Sequence, residues 1–128
     1  MARRRQRRFG DLVHVGRIYI GGRTEAGKPT PKKAIQAMVG RVAAATGGMT
    51  ATRARGIFRS AKQPFVSEPS TAIETFVDAG RSCEKFKKTL ASIGEKAARE
   101  GLQESVAVVV QCAGKPVDAV FVTPKKKH

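Results

Sequence analysis

The sequence predicts an α+β domain: an N-terminal strand, a helical hairpin, a long helix, and a C-terminal β-hairpin that completes a small antiparallel sheet. Three observations predict it. β-branched and aromatic residues crowd Leu12–Ile20. Apolar residues recur at helical spacing after Pro31 and again toward Glu100. Two β-rich runs, Ser105–Cys112 and Val117–Thr123, flank the short loop Ala113-Gly114-Lys115-Pro116. With 128 residues and 13.7 kDa the chain suits one domain. Residues 11–124 form that domain, between a basic arm (1–10) expected to be disordered and a basic tail (125–128).

The first strand, Leu12–Ile20, is bounded by Gly21-Gly22, and Gly16 within it marks a bulge. Thr30 caps the first helix and Pro31 opens it, a pairing that suits a helix N-terminus. Ile35, Met38, Val39, Val42 and Ala43 give that helix one apolar face, and Gly47-Gly48 stops it. A second helix is expected from a Thr50 cap to about Lys62, with Ala54, Ile57, Phe58 and Ala61 turned inward and Gln63-Pro64 ending it. Ser67–Ser70 forms a loop. Thr71 with Glu74 makes a capping box for a long helical stretch to about Glu100, with a break near Gly80. Phe76, Cys83, Leu90 and Ala97 fall seven apart in this stretch, a spacing that fits packing on the sheet better than a short coiled coil. Val106–Val110 is apolar on both faces and so belongs inside the sheet.

Charge dominates the composition. There are 25 Lys and Arg against 10 Asp and Glu, a net charge of +15. Residues 1–62 hold 15 basic and two acidic residues; residues 63–124 hold seven and eight. Such asymmetry points to nucleic acid, with the front half meeting the polyanion and the back half supplying scaffold. Arg3, Arg4, Arg5, Arg7 and Arg8 would lie along phosphates or enter a minor groove. Lys32 and Lys33 sit in the first helical turn, where free amides favour an anion, and Arg23 and Lys28 stand nearby.

The segment Val42–Phe58 resembles the helix-turn-helix unit of DNA-binding proteins over about 17 residues. Ala43 and Gly47 have the spacing that lets two helices meet closely, and Thr50 caps the second. Its outward face would present Thr52, Arg53, Arg55, Arg59 and Lys62 to guanine edges and phosphates. The turn is one residue longer than such units use, and Gly56 weakens the second helix.

The resulting expectation is a duplex-DNA-binding protein without enzymatic activity, cytoplasmic or nucleoid-associated, with a homodimer as a compatible arrangement. A ribosomal-type RNA-binding protein, a virion or nucleoid packaging protein, and a protein–protein interaction module are the alternatives. No cofactor, metal site or membrane partner is expected. The apolar runs are far too short to span a bilayer. Gly22–Pro29 nearly matches a phosphate-binding loop, but Pro29 stands where a hydroxyl should bind magnesium, so it is read as a turn. His14 and His128 are placed beside no nucleophile. Cys83 and Cys112 read as small buried hydrophobes in a reducing compartment.

Overall fold

The computed structural model describes residues 12–58 and 66–124. In chain order it holds β1 (Val13–Gly21), α1 (Lys32–Thr46), β2 (Thr50–Phe58), β3 (Val66–Asp78), α2 (Cys83–Glu100), β4 (Val106–Gln111) and β5 (Val117–Val122). The strands form one antiparallel sheet in the order β2-β3-β1-β4-β5. The architecture is α+β, with two helices and five strands; among the described residues there is no helical hairpin.

Both helices lie on the same face of the sheet. Ala34, Met38 and Val42 of α1 and Phe86, Leu90, Ile93, Ala97 and Ala98 of α2 are buried. They meet alternate residues of the strands: Ile18 and Ile20, Ile73 and Val77, Val106, Val108 and Val110, and Val122. Period-2 side chains from the strands and period-3.6 side chains from the helices thus share one core. The opposite face is mixed. It carries Val15, Arg17 and Tyr19 from β1, Glu74 and Phe76 from β3, and Ala107 and Val109 from β4.

Several expectations hold. The first strand, the first helix and the C-terminal hairpin are present, and β4 lies inside the sheet between β1 and β5. Leu90 and Ala97 pack into the core. Other expectations are corrected. The helix expected from Thr50 is strand β2; Thr50 and Thr52 alternate with Ala51, Arg53 and Arg55 along an edge, each paired with β3. Residues 59–65, including Arg59 and Lys62, lie outside the described set, so the proposed end of that helix does too. The capping box at Thr71 and Glu74 is the middle of β3. There Thr71, Ile73, Thr75 and Val77 form a period-2 row of β-branched residues, which outweighs a two-residue cap signal. The helix begins only after Gly80, where Ser82 caps it by accepting the Lys85 N–H at 3.3 Å. Thr30 does not cap α1; its hydroxyl donates to the Gly21 carbonyl at 2.6 Å, and extended Pro31 precedes the helix instead. Finally, Cys83 and Cys112 are not free thiols but a disulfide, with Cα atoms 5.8 Å apart.

Gly16 is not a bulge. It pairs without interruption with Thr75 on one side and Val110 on the other. Its role is close approach: a Cβ there would lie 2.8 Å from Phe86 Cζ and closer still to Leu90 Cδ1. Gly94 does the same from the helix side, where a Cβ would stand 2.7 Å from Val108 Cγ2 and 2.9 Å from Val122 Cγ2. These two glycines let α2 settle on the sheet at two points of its length. Replacing Gly16 with Ala should therefore destabilise the fold by about 1–3 kcal/mol through overpacking. Urea unfolding of G16A checks this, and an unchanged midpoint would show that α2 does not press on β1.

Candidate functional site

A cleft beside charged groups arises where the two edges of a strand pair end unequally. β2 starts at Thr50, opposite Glu74, so β3 continues from Thr75 to Asp78 without a partner on that side. The end of α1 comes down beside this overhang. Gly47 adopts a left-handed conformation (φ 85°), returns its N–H to the Ala43 carbonyl at 2.8 Å, and turns the chain into β2. The result is a cleft of about 610 Å³ lined by Thr46, Gly48, Thr50, Glu74, Thr75, Phe76, Asp78 and Arg81 among others.

A hydroxyl pair fastens the turn to the sheet. Thr75 is buried, and its Oγ1 lies 2.8 Å from both Thr46 Oγ1 and the Gly48 carbonyl. Thr46 Oγ1 also stands 2.7 Å from the Val42 carbonyl and 2.8 Å from that of Gly48. The two hydroxyls thus tie the Gly48 carbonyl, which lies beyond the helix end, to both α1 and β3.

The charged groups come from β3 and the turn after it. Glu74 Oε2 accepts from Arg17 Nε at 2.6 Å, both half-exposed. That hydrogen bond raises the Arg17 guanidinium further above its ordinary value. Asp78 accepts the Gly80 N–H at 2.9 Å and so shapes the turn into α2. Arg81 donates to the Ala45 carbonyl at 3.2 Å, across the mouth of the cleft. Phe76, 45% exposed, presents a ring on the face shared with Glu74. Two carboxylates, a guanidinium, hydroxyls and one aromatic ring make a site suited to a small molecule carrying both signs of charge.

Of the described residues singled out as nucleic-acid contacts, Thr50 lines this cleft and Arg23, Lys28, Lys32, Lys33, Thr52, Arg53 and Arg55 do not. Arg3, Arg4, Arg5, Arg7 and Arg8 lie outside the described residues. Lys32 and Lys33 do occupy the first turn of α1, exposed. Arg23 and Lys28 belong to a tight loop closed by a bridge between Arg23 and Pro29. Its amides are already used: Thr24 N–H goes to Lys28 O, Gly27 N–H to Thr24 O, Lys28 N–H to Thr24 Oγ1, and Thr30 N–H to Gly22 O. That inward bonding bears out the reading of this loop as a turn rather than a phosphate cradle. Thr52, Arg53 and Arg55 are exposed on β2. Glu74, Thr75, Phe76, Asp78 and Arg81 were missed. Their signal was the alternation of β3, which brings Glu74, Phe76 and Asp78 to one face.

The sequence matches no family model and no curated protein. Two solved structures share the fold. A phage SAM lyase in its apo state is 22% identical with a TM-score of 0.73, over 98% of this chain and 100% of that one. A phage SAM lyase in complex with S-methyl-5′-thioadenosine is 19% identical with a TM-score of 0.69, over 93% of this chain and 97% of that one. At these identities the likeness shows the fold. It nevertheless overturns the expectation of a nucleic-acid-binding protein without enzymatic activity, and with it the RNA-binding, packaging and interaction-module readings. Both of these structures, alike to this chain nearly end to end, are of lyases, one of them in complex with S-methyl-5′-thioadenosine, and the supposed recognition helix is an edge strand. As for membranes, no helix of the described residues is long and apolar enough to cross one.

The hydroxyl pair offers a direct test of how the cleft is held. Thr75→Val keeps the shape and removes a buried donor, which should cost about 1–3 kcal/mol. Faster amide exchange at Met49 and Thr50 should accompany the loss. Stability and exchange both unchanged would show that the turn is held by other contacts.

Proposed function

We propose that this protein is a lyase acting on S-adenosylmethionine and releasing S-methyl-5′-thioadenosine. The observation that carries the reading is the coincidence of whole-chain likeness to the phage SAM lyases with a cleft whose size and charges suit that substrate. The substrate bears a sulfonium, an ammonium, a carboxylate, a ribose and an adenine. A volume of about 610 Å³ lies within the range that takes such a ligand. Glu74 and Asp78 provide negative charge for the two cationic centres, Arg81 provides a fork for the carboxylate, and Phe76 provides a ring for adenine.

The chemistry asks little of acid–base groups. S-methyl-5′-thioadenosine keeps the methyl and the adenosyl group, so the bond that breaks joins sulfur to Cγ of the methionine portion. A lyase adds no water. The substrate's own carboxylate can close on Cγ to give a five-membered lactone, with the S–Cγ electron pair leaving on the neutral thioether. Sulfonium and carboxylate charges vanish together in that step, so a site that holds them close and strips them of water favours the reaction. The protein's work is to fold the substrate and exclude solvent, which fits a cleft whose described lining carries carboxylates, hydroxyls and a guanidinium.

Purified full-length protein incubated with S-adenosylmethionine should release S-methyl-5′-thioadenosine, followed by chromatography. Glu74→Gln, which removes a negative charge beside the cationic substrate, should lower kcat/KM by about tenfold or more. Its circular dichroism should match the parent. No product from the parent protein would sink the lyase reading, and full activity in E74Q would move the reaction out of this cleft.

A further inference from the structure

We propose that the Cys83–Cys112 pair is a redox-modifiable site, a thiol–disulfide switch that sets the position of Arg81 at the mouth of the cleft. The proposal rests on the lyase reading for what Arg81 binds, though not for the movement itself. Cys83 is the first residue of α2, and Cys112 follows the last residue of β4. Their disulfide ties the start of the helix to the end of an inner strand.

His14 makes a second bridge between the same two segments. Its Nδ1 accepts the N–H of Ala113, next to Cys112, at 2.9 Å. Its Nε2–H donates to the carbonyl of Arg81, two residues before Cys83, at 2.8 Å. The ring is buried and stacked with Phe86, centroids 6.4 Å apart. Both ring nitrogens are thereby occupied, so although the donor atoms of His14, Cys83 and Cys112 lie within 4.8 Å of one another, the arrangement serves to hold segments together and not to coordinate an ion. From Cys112 the path runs through the disulfide and His14 to Arg81, and from the Arg81 guanidinium to Ala45 in the last turn of α1. The tie of this turn to the residue before β1 is a long one, Ala79 N–H to the Leu12 carbonyl at 3.4 Å. Within the turn the Arg81 N–H also donates to the Asp78 carbonyl at 3.0 Å, and the two bridges are what fix the Arg81 backbone against the end of β4.

Opening the disulfide must disturb this path. Bonded sulfurs sit about 2 Å apart, whereas unbonded ones separate to van der Waals distance, about 3.5–4 Å. Cys112 is buried just past the end of β4, so Cys83, less buried and at a helix start, is the partner that gives way. It is also the sulfur open to attack. A thiolate of a dithiol reductant attacks Cys83 Sγ, the S–S pair departs on Cys112, which takes up a proton, and the reductant's second thiol displaces Cys83 as a thiol. Two electrons and two protons pass to the protein, and the reductant leaves as its own disulfide. The reverse exchange with an oxidised small-molecule disulfide closes the pair again. With the pair open, Arg81 no longer stands at a fixed distance from the carboxylates of β3, and the substrate carboxylate loses its partner.

The test uses the full chain in two forms, oxidised with glutathione disulfide and reduced with dithiothreitol, with thiols counted after denaturation. The oxidised form should show no free thiol and the reduced form two. Reduction should speed amide exchange over residues 79–83 and raise KM for S-adenosylmethionine about fivefold or more, with kcat little changed. Cys83→Ser should behave as the reduced form with or without reductant. Two free thiols surviving the oxidant, or identical KM in forms whose thiol counts differ, would overturn the proposal. If neither form turns over substrate, the lyase reading fails by itself, and the exchange over 79–83 still decides the switch: equal rates in the two forms refute it.

Discussion

An antiparallel strand pair leaves backbone groups unclaimed wherever one member outruns the other, and β3 outruns β2 from Thr75 to Asp78. Everything at the candidate site depends on that overhang. It makes room for the end of α1, and it puts Glu74, Phe76 and Asp78 along a rim rather than beneath a neighbouring strand. It also leaves the Gly47-Gly48 turn needing another anchor, which Thr46 and Thr75 supply. Had β2 begun four residues earlier, ladder hydrogen bonds would fill the cleft. The left-handed Gly47 is what delays it, since a chain leaving a helix in that conformation cannot enter a strand at once.

Much of this fold can be read from residues alone, and what cannot has an identifiable cause. The hairpin Val106–Val122 is legible because its β-branched runs are separated by a four-residue turn. α1 is legible because Pro31 and Gly47 bracket one apolar periodicity. The region 50–78 is not, because local signals there compete. Thr50 and the Thr71–Glu74 pair look like caps, and Ala54, Ile57 and Phe58 fit a helical face as well as a strand. Pro69 also argues against an inner strand, yet it lies just beyond Ser70, where pairing with β1 ends, and so interrupts no ladder bond with that neighbour. The decision belongs to tertiary pairing: β1 offers β3 nine partners in register. The disulfide is hidden for a related reason. The cysteines stand 29 positions apart in the chain, and only the return of β4 alongside β1 brings them together.

The net charge misleads in an instructive way. A surplus of cations governs solubility and indiscriminate attraction to polyanions, but it does not locate a site. Most groups that line the cleft come from the stretch where bases and acids nearly balance: Glu74, Asp78 and Arg81 all fall within 63–124. Local sign, set by which side chains share a strand face, matters more there than the total.

The two margins of the sheet are unlike. Along β2 the outward row includes Arg53 and Arg55, long cations that discourage another extended chain from lying alongside. Along β5 the row includes Val117 and Phe121, which is 73% exposed, with Asp118 drawn inward to Lys87 at 3.1 Å. Among the described residues, then, lateral strand addition is guarded on one flank and inviting on the other. Concentrated solutions of this protein will self-associate, when they do, from the Phe121 side, and a single lysine substituted there is the economical remedy.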